Sequence, residues 1–214
     1  MGGVLLQTQQ ITGGILPTNS YILTDDVTGV SAVIDPGFLD ASLFDAIAVL
    51  PKLSAILLTH GHFDHIMGVA KIAAQTGAKI YMHALEKDFA TNSALNLSVA
   101  MAERHCDPFT PDILYQDGDA ISVGSLIVQV LHTPGHTAGS SCLLVEDRIF
   151  SGDTIFKGTV GRTDFPTSDL QSMRRSVARI AQLPGDYMIY PAHGDHTTLA
   201  YERVYNPYMK GLTS

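Results

Sequence analysis

The sequence is poor in cysteine and in positive charge. Cys106 and Cys142 are its only cysteines, and they form no C-x-x-C pair. Two isolated thiols do not make a disulfide framework, so we expect reduced cysteines in a cytoplasmic protein. The 13 Lys and Arg residues are outnumbered by 21 Asp and Glu residues, which gives a formal net charge of −8. This balance argues against a nucleic-acid partner, which would require a basic patch.

Long apolar runs are also absent. No stretch of 18 or more consecutive apolar residues occurs, so we expect no membrane-spanning helix and no membrane partner. The opening segment, MGGVLLQTQQITGG, lacks a basic n-region and an A-x-A-like cleavage site. We therefore expect no signal peptide.

The remaining composition is that of a globular α/β protein. A length of 214 residues and an apolar content of 45% suit one domain that spans residues 1–214. Apolar patterns predict strands over 4–11, 20–24, 30–34, 55–58, 79–82, 121–123, 126–132, 140–145, 148–150 and 187–190. Helical spacing predicts helices over 43–50, 66–76 and 197–204, and one that Ser168 caps and Pro184 ends. Together they predict two β layers flanked by helices.

One segment interrupts this pattern. Residues 84–116 contain two stretches that could be helical, 84–94 and 97–103, followed by the irregular sequence CDPFTP. The segment is interpreted as an insertion over one face of the sheet. It is either a cover for a substrate or a surface excursion without function.

The densest group of polar side chains is Thr59-His60-Gly61-His62-Phe63-Asp64-His65. It follows the apolar run Ala55-Ile56-Leu57-Leu58 and precedes a helical pattern, so it lies in a loop where a buried strand ends. Imidazoles and carboxylates packed this tightly are typical of a metal-ligand set. A loop of this length cannot complete a metal site alone.

Three other loops at strand ends carry the missing groups. They contain Thr-Pro-Gly-His136, Gly-Asp153-Thr and Pro-Ala-His193. Each loop is weak evidence alone, because a polar residue at a strand end is commonly a turn residue. Five imidazoles and two carboxylates could nevertheless supply two neighbouring metal sites with one carboxylate shared: His60, His62, His65, His136, His193, Asp64 and Asp153.

These motifs resemble those of the metallo-β-lactamase superfamily, and within it the short single-domain bacterial members of the glyoxalase II (hydroxyacylglutathione hydrolase) group. The resemblance implies a four-layer αββα sandwich. It also implies that His60, His62 and His136 hold one metal ion, that Asp64, His65 and His193 hold a second, and that Asp153 bridges them. Asp64 and Asp153 are thus the predicted catalytic residues. The implied cofactors are two divalent metal ions, with zinc expected and iron or manganese as alternatives.

The implied activity is hydrolysis of a small-molecule thioester such as S-D-lactoylglutathione by a metal-bound hydroxide. Arg162 matches a basic residue that contacts the glutathione part of the substrate in this group, although it could instead pair with Asp164. Two-domain glyoxalase II enzymes carry further glutathione contacts in a C-terminal helical domain, which leaves the thiol of the substrate open here.

Two alternatives stand beside the hydrolase. The sequence is also similar to the persulfide dioxygenases of the same superfamily, which use one iron held by residues matching His62, His136 and Asp153. A purely structural metal site is the other alternative. Structural zinc sites usually use cysteine ligands, and neither cysteine lies in a ligand motif.

Overall fold

The computed structural model describes residues 6–210 and contains two six-stranded sheets. The first sheet consists, in both sequence and spatial order, of β1 (Leu6–Gly13), β2 (Thr18–Asp25), β3 (Val30–Ile34), β4 (Lys52–Leu57), β5 (Lys79–His83) and β6 (Ile113–Tyr115). Strands β1 to β3 are antiparallel, and β3 to β6 are parallel. The carboxyl ends of β3, β4 and β5 therefore meet at one edge of this sheet.

The second sheet is mainly antiparallel. Its strands are β7 (Ala120–Val123), β8 (Leu126–His132), β9 (Ser141–Val145), β10 (Arg148–Gly152), β13 (Met188–Pro191) and β14 (Thr197–Thr198). Between β10 and β13 in the sequence, β11 (Ile155–Phe156) and β12 (Thr159–Val160) form a separate two-stranded ribbon. Strand β13 pairs in parallel with β10. The loops after these two strands consequently lie side by side.

Helices cover the outer faces of both sheets. They are α1 (Ala41–Ala48), α2 (Phe63–Ile66), α3 (Val69–Thr76), a 3-10 helix (Ala84–Ala90), α4 (Ser93–Asn96), α5 (Ser98–Ala102), α6 (Leu170–Ala181) and α7 (Leu199–Tyr205). Helices α1 and α3 pack on the first sheet, and α6 and α7 pack on the second. Within residues 6–210, every helix is too short or too polar to span a bilayer.

The two sheets pack face to face around a shared apolar core. Leu23 and Leu57 from the first sheet meet Val130 and Phe150 from the second. Strand β4 is buried on both faces, since Leu57 faces this core while Ile56 faces the helices. Burial of both faces explains its unbroken apolar sequence. The layer order is helix, sheet, sheet, helix, as predicted.

The structure corrects several predicted elements. The helix after the histidine loop is interrupted, because the N–H of Gly68 donates to the carbonyl of Pro36 at 2.8 Å. The predicted cap Ser168 is wrong, since helix α6 begins one residue later and the carboxylate of Asp169 accepts the N–H of Ser172 at 2.7 Å. The hydroxyl of Ser168 instead donates to the carbonyl of His136 at 2.6 Å.

The predicted insertion is shorter than expected. Residues 113–115 return to the first sheet as β6, which is too short to show a recognisable alternation. The ribbon β11–β12 was not predicted for the same reason, since each strand has two residues. Residues 1–5 and 211–214 lie outside the described residues, so the start of the strand predicted over 4–11 and the domain bounds 1–214 stay predictions.

Candidate metal centre

All seven predicted metal ligands lie together at one edge of the two sheets. His60 and His62 follow β4, Asp64 and His65 belong to α2, His136 lies between β8 and β9, Asp153 follows β10, and His193 follows β13. Six of the seven residues have 12% or less of their side chain exposed, and His193 is the most exposed, at 28%. Loops from both sheets therefore contribute to one cluster.

Three imidazoles form the first part of this cluster. Nδ1 of His62 lies 3.0 Å from Nε2 of His60 and 2.9 Å from Nε2 of His136. A neutral imidazole has one nitrogen lone pair and one N–H, so three ring nitrogens that converge on one point are best satisfied by a shared cation. This donor set fits a divalent metal ion.

The second part combines a carboxylate with two imidazoles. Oδ2 of Asp64 lies 3.2 Å from Nε2 of His193 and 3.8 Å from Nε2 of His65. Nε2 of His65 is buried and has no hydrogen-bond partner among the described residues. An unpaired buried nitrogen is costly, and a cation bound beside it would remove that cost.

Asp153 lies between the two parts. Its Oδ1 is 3.4 Å from Nε2 of His65 and 3.6 Å from Nε2 of His193, whereas its Oδ2 is 3.4 Å from Nε2 of His136. The two oxygens of one carboxylate thus face different groups of imidazoles. This geometry suits a carboxylate shared by two cations.

Hydrogen bonds behind the cluster orient three of the imidazoles. Nδ1 of His136 donates to the carbonyl of Arg162, and Nδ1 of His193 donates to the carbonyl of Pro17, both at 2.9 Å. Nδ1 of His65 lies 2.9 Å from Oδ2 of Asp35. A donor role for Nδ1 leaves Nε2 of each ring as the metal-facing atom.

Asp35 is a supporting residue that the sequence did not reveal. Besides facing His65, it accepts hydrogen bonds from the N–H and the hydroxyl of Thr59 at 2.7 and 2.5 Å. Its φ of 47° is an uncommon, strained conformation for a non-glycine residue. In the sequence it stands directly after the strand predicted over 30–34 and belongs to no ligand motif. Its position at the end of β3, beside β4, was the available signal.

Glu86 is the second supporting residue that was missed. Its carboxylate accepts the N–H of Gly61 at 2.9 Å and the N–H of Gly139 at 2.8 Å. These glycines lie in the loops that carry His62 and His136 respectively. Burial raises the pKa of Glu86. A single buried side chain in the 3-10 helix therefore joins two loops of the cluster.

The electrostatic setting favours neutral imidazoles at His60 and His62 and an ionised carboxylate at Asp153. Burial, reinforced by neighbouring imidazoles, lowers the pKa of His62 to about 3 and that of His60 well below its usual value. Burial alone would raise the pKa of Asp153, but His65 and His136 hold it below its usual range. Neutral imidazole and ionised carboxylate are the forms that bind metal.

A cavity of about 280 Å³ opens beside the cluster. It is lined by cluster residues, by Arg162 and by apolar side chains from several segments. Nε and Nη2 of Arg162 donate to the two oxygens of Asp164 at 2.6 and 2.8 Å, and the guanidinium lies 4.0 Å from the ring centroid of Phe165. The predicted substrate contact therefore borders the cavity, and its charge is paired with Asp164.

Residues 13–193 match the family described as the metallo-beta-lactamase superfamily. The chain belongs to the metallo-β-lactamase superfamily. The predicted αββα fold class is thus confirmed, and the superfamily's use of divalent metals agrees with the cluster. Which metal is bound and how many ions are present stay predictions.

Two relatives cover this superfamily member over most of its length. An uncharacterised protein of Aquifex aeolicus is 36% identical over 198 residues, which cover 91% of this chain and 93% of that protein. A Haemophilus influenzae protein named hydroxyacylglutathione hydrolase GloC is 31% identical over 196 residues, which cover 89% of this chain and 92% of its own.

Solved structures show the same superfamily fold. The BLEG-1 B3 metallo-beta-lactamase superposes with a TM-score of 0.90 at 31% identity, with 96% of this chain and 100% of that chain covered. The protein TTHA1623, solved in a di-iron-bound form, gives a TM-score of 0.83 at 31% identity, with 94% and 99% covered.

Proposed function

We propose that the protein is a dinuclear metal-dependent hydrolase that cleaves thioesters such as S-D-lactoylglutathione. The observation that carries this proposal is the position of Asp153, whose two oxygens face two separate groups of imidazoles beside a cavity. The relative named hydroxyacylglutathione hydrolase supports the substrate class.

The residues divide into two ligand groups under this proposal. His60, His62 and His136 hold one ion, and Asp64, His65 and His193 hold the other, with Asp153 between them. We propose zinc for both. Two divalent cations at such a site lower the pKa of water to near neutrality and polarise a carbonyl group.

The protein's own groups position the reaction. The carboxylates of Asp64 and Asp153 border the cavity and act as acceptors for the hydrogens of the attacking water. The hydroxyl of Thr18 lies 3.4 Å from Oδ2 of Asp64 and makes a shorter hydrogen bond, of 2.9 Å, to the carbonyl of Leu16. In the overall reaction water adds its oxygen to the thioester carbonyl carbon, the carbon–sulfur bond breaks, and a carboxylic acid and a thiol are released.

Metal analysis combined with hydrolysis of S-D-lactoylglutathione tests the proposal. We expect two metal ions per chain, and we expect Asp153→Ala to lower kcat by about 10²–10⁴-fold, because a group at the reacting centre contributes on that order. Far-ultraviolet circular dichroism of the variant checks that it is folded.

Two results would count against the hydrolase. Undiminished hydrolysis by a folded Asp153→Ala variant would show that the proposed site does not catalyse the reaction. One iron per chain, with oxygen uptake on glutathione persulfide and no thioester cleavage, would establish the dioxygenase in its place.

A further inference from the structure

The cavity beside the metal cluster is lined by both polar and apolar side chains. The cluster and Arg162 supply the polar ones. The apolar ones form an apolar wall of Leu16, Phe63, Leu97, Met101, Phe156 and Phe165. These six residues come from the β1–β2 turn, α2, the α4–α5 segment, β11 and the loop after β12. A substrate whose reacting carbonyl lies at the cluster must place an adjoining group against this apolar surface.

The α4–α5 part of the wall is held in place by hydrogen bonds. The side-chain amide of Asn96 donates to the carbonyl of Phe89 at 2.7 Å, and its oxygen accepts the N–H of Ser98 at 3.0 Å. Leu97, between these contacts, has a φ of 63° and is buried. This part of the apolar wall is therefore preformed, which reduces the entropy lost when a ligand binds.

Apart from the proposed metal ions, the described residues that line the cavity offer no unpaired Lys or Arg to an acidic ligand. Arg162 is the only Lys or Arg that lines it among the described residues, and both carboxylate oxygens of Asp164 bind its guanidinium. A group that enters here gains more from apolar contact than from an ion pair.

The size of the cavity limits the group that it can hold. Its volume of about 280 Å³ lies just below the range of about 300–1,000 Å³ that is typical of small-molecule sites. Part of this space must hold the reacting carbonyl. The rest suits a short chain.

We propose that this cavity binds the acyl group of the substrate and that it selects short aliphatic acyl groups over hydroxyacyl groups. The inference rests on the proposed thioester hydrolysis and narrows it. A lactoyl hydroxyl placed against the apolar wall loses its hydrogen bonds to water without replacement, whereas an alkyl chain gains burial.

A series of N-acetylcysteamine thioesters with acetyl, butanoyl, hexanoyl and D-lactoyl groups tests the selectivity, because the thiol is constant. We expect kcat/KM to rise by about fourfold per methylene, the factor that corresponds to full burial of that group. The D-lactoyl thioester should be cleaved more slowly than the butanoyl thioester. Equal kcat/KM across the series would overturn the inference and leave the hydrolase standing.

Two residues of α5 provide a matched pair of variants. Met101 lines the cavity and is 39% exposed, whereas Val99 is 45% exposed and is not among the lining residues. We expect Met101→Ser to reduce the increase per methylene, and Val99→Ser to retain it. Partial exposure makes both substitutions compatible with folding. An equal effect of the two substitutions would show that Met101 does not contact the acyl chain.

A binding experiment separates the cavity from the chemistry. S-methyl and S-hexyl N-acetylcysteamine are thioethers that cannot be hydrolysed, and isothermal titration calorimetry measures their affinities. Tighter binding of the S-hexyl compound, weakened by Met101→Ser, is expected even if no thioester is cleaved. In that case the proposed thioester hydrolysis is wrong, but the apolar binding site is supported. Equal affinities of the S-methyl and S-hexyl compounds would contradict the apolar binding site.

Discussion

His62 presents a different ring nitrogen to the cluster from the other histidines. Its Nδ1 faces the rings of His60 and His136, whereas both of those present Nε2. Because Nδ1 lies nearer the main chain than Nε2, the start of helix α2 fixes its position closely. The backbone of Gly61, held by Glu86, is thus part of the support for this nitrogen.

A second single residue, His83, makes the free energy of unfolding depend on pH. Its Nδ1 accepts the N–H of Leu85 at 3.2 Å, and its ring stacks on His132 with 4.3 Å between centroids. Burial, followed by the charge of His132, lowers the pKa of His83 to about 4. An unfolded histidine has a pKa of about 6.5, so the folded state binds a proton less readily than the unfolded state.

This difference predicts a loss of stability in acid. The contribution is complete above about pH 6.5 and declines as the pH falls toward 4, with roughly 1 kcal/mol lost by pH 5.5. His83→Asn retains an acceptor for Leu85 but does not titrate. Urea unfolding of metal-free protein at pH 7 and 5.5 should show a smaller decline for the variant. The exposed His105→Asn is the control, and an equal decline in His83→Asn would contradict the prediction.

Individual site residues were predictable where the side chain itself carried the signal. His136, Asp153 and His193 each lie beside or near glycine at a strand end, and the sequence was sufficient to group them. Asp35 and Glu86 were not predictable in this way. Their roles depend on which loops become neighbours in the folded chain, and that information is long-range.

At the scale of elements, the 3-10 helix Ala84–Ala90 is the link between the covering segment and the metal cluster. It carries Glu86, which binds the N–H groups of Gly61 and Gly139, and Phe89, whose ring packs against Gly61. A Cβ on Gly61 would lie 2.4 Å from Phe89, so only glycine permits this packing. These contacts and the cavity-lining Leu97 and Met101 favour the cover over the surface excursion, the two interpretations that the sequence left open.

Substitution of Glu86 tests this link. Glu86→Gln replaces one acceptor oxygen with an NH₂ group that faces a backbone N–H, so one buried donor loses its partner. We expect the free energy of unfolding to fall by about 1–3 kcal/mol and metal affinity to fall with it, by about 10–100-fold. Urea denaturation and a competitive chelator titration measure the two effects.

Glu103→Gln is the matched control, because Glu103 is exposed at the end of the same segment. Glu103→Gln should change neither the free energy of unfolding nor the metal affinity. Wild-type metal affinity in Glu86→Gln would show that Glu86 stabilises the cover without positioning the ligand loops.

At the scale of the whole molecule, the cluster joins the two β layers. Four of its residues follow or adjoin β4 of the first sheet, and three follow strands of the second. A shared ion would connect the layers at an edge where imidazoles and carboxylates, rather than apolar side chains, meet. The layers themselves were predictable from apolar periodicity, but the short strands β6, β11, β12 and β14 were not, because two or three residues carry no period. Residues Thr197–Thr198 form β14 rather than the start of the helix predicted over 197–204.

Metal removal should therefore lower thermal stability. A ligand at 100 times its dissociation constant stabilises the native state by about 2.7 kcal/mol, and each kcal/mol shifts Tm by about 2–4 °C in a chain of this size. We expect a strong chelator to lower Tm by about 5–10 °C, measured by circular dichroism. Added zinc should restore it. An unchanged Tm after confirmed metal loss would show that the ions do not connect the layers.

The two parts of residues 84–102 make different contacts, and this difference has a consequence for the redesign of substrate preference. The part before Asn92 carries the contacts to the ligand loops, whereas the part after it supplies Leu97 and Met101 to the cavity wall. Exchange of residues 93–102 with the matching segment of a relative would alter the wall and retain Glu86. Substrate preference can thus diverge in this chain while the chemistry of the metal centre is conserved.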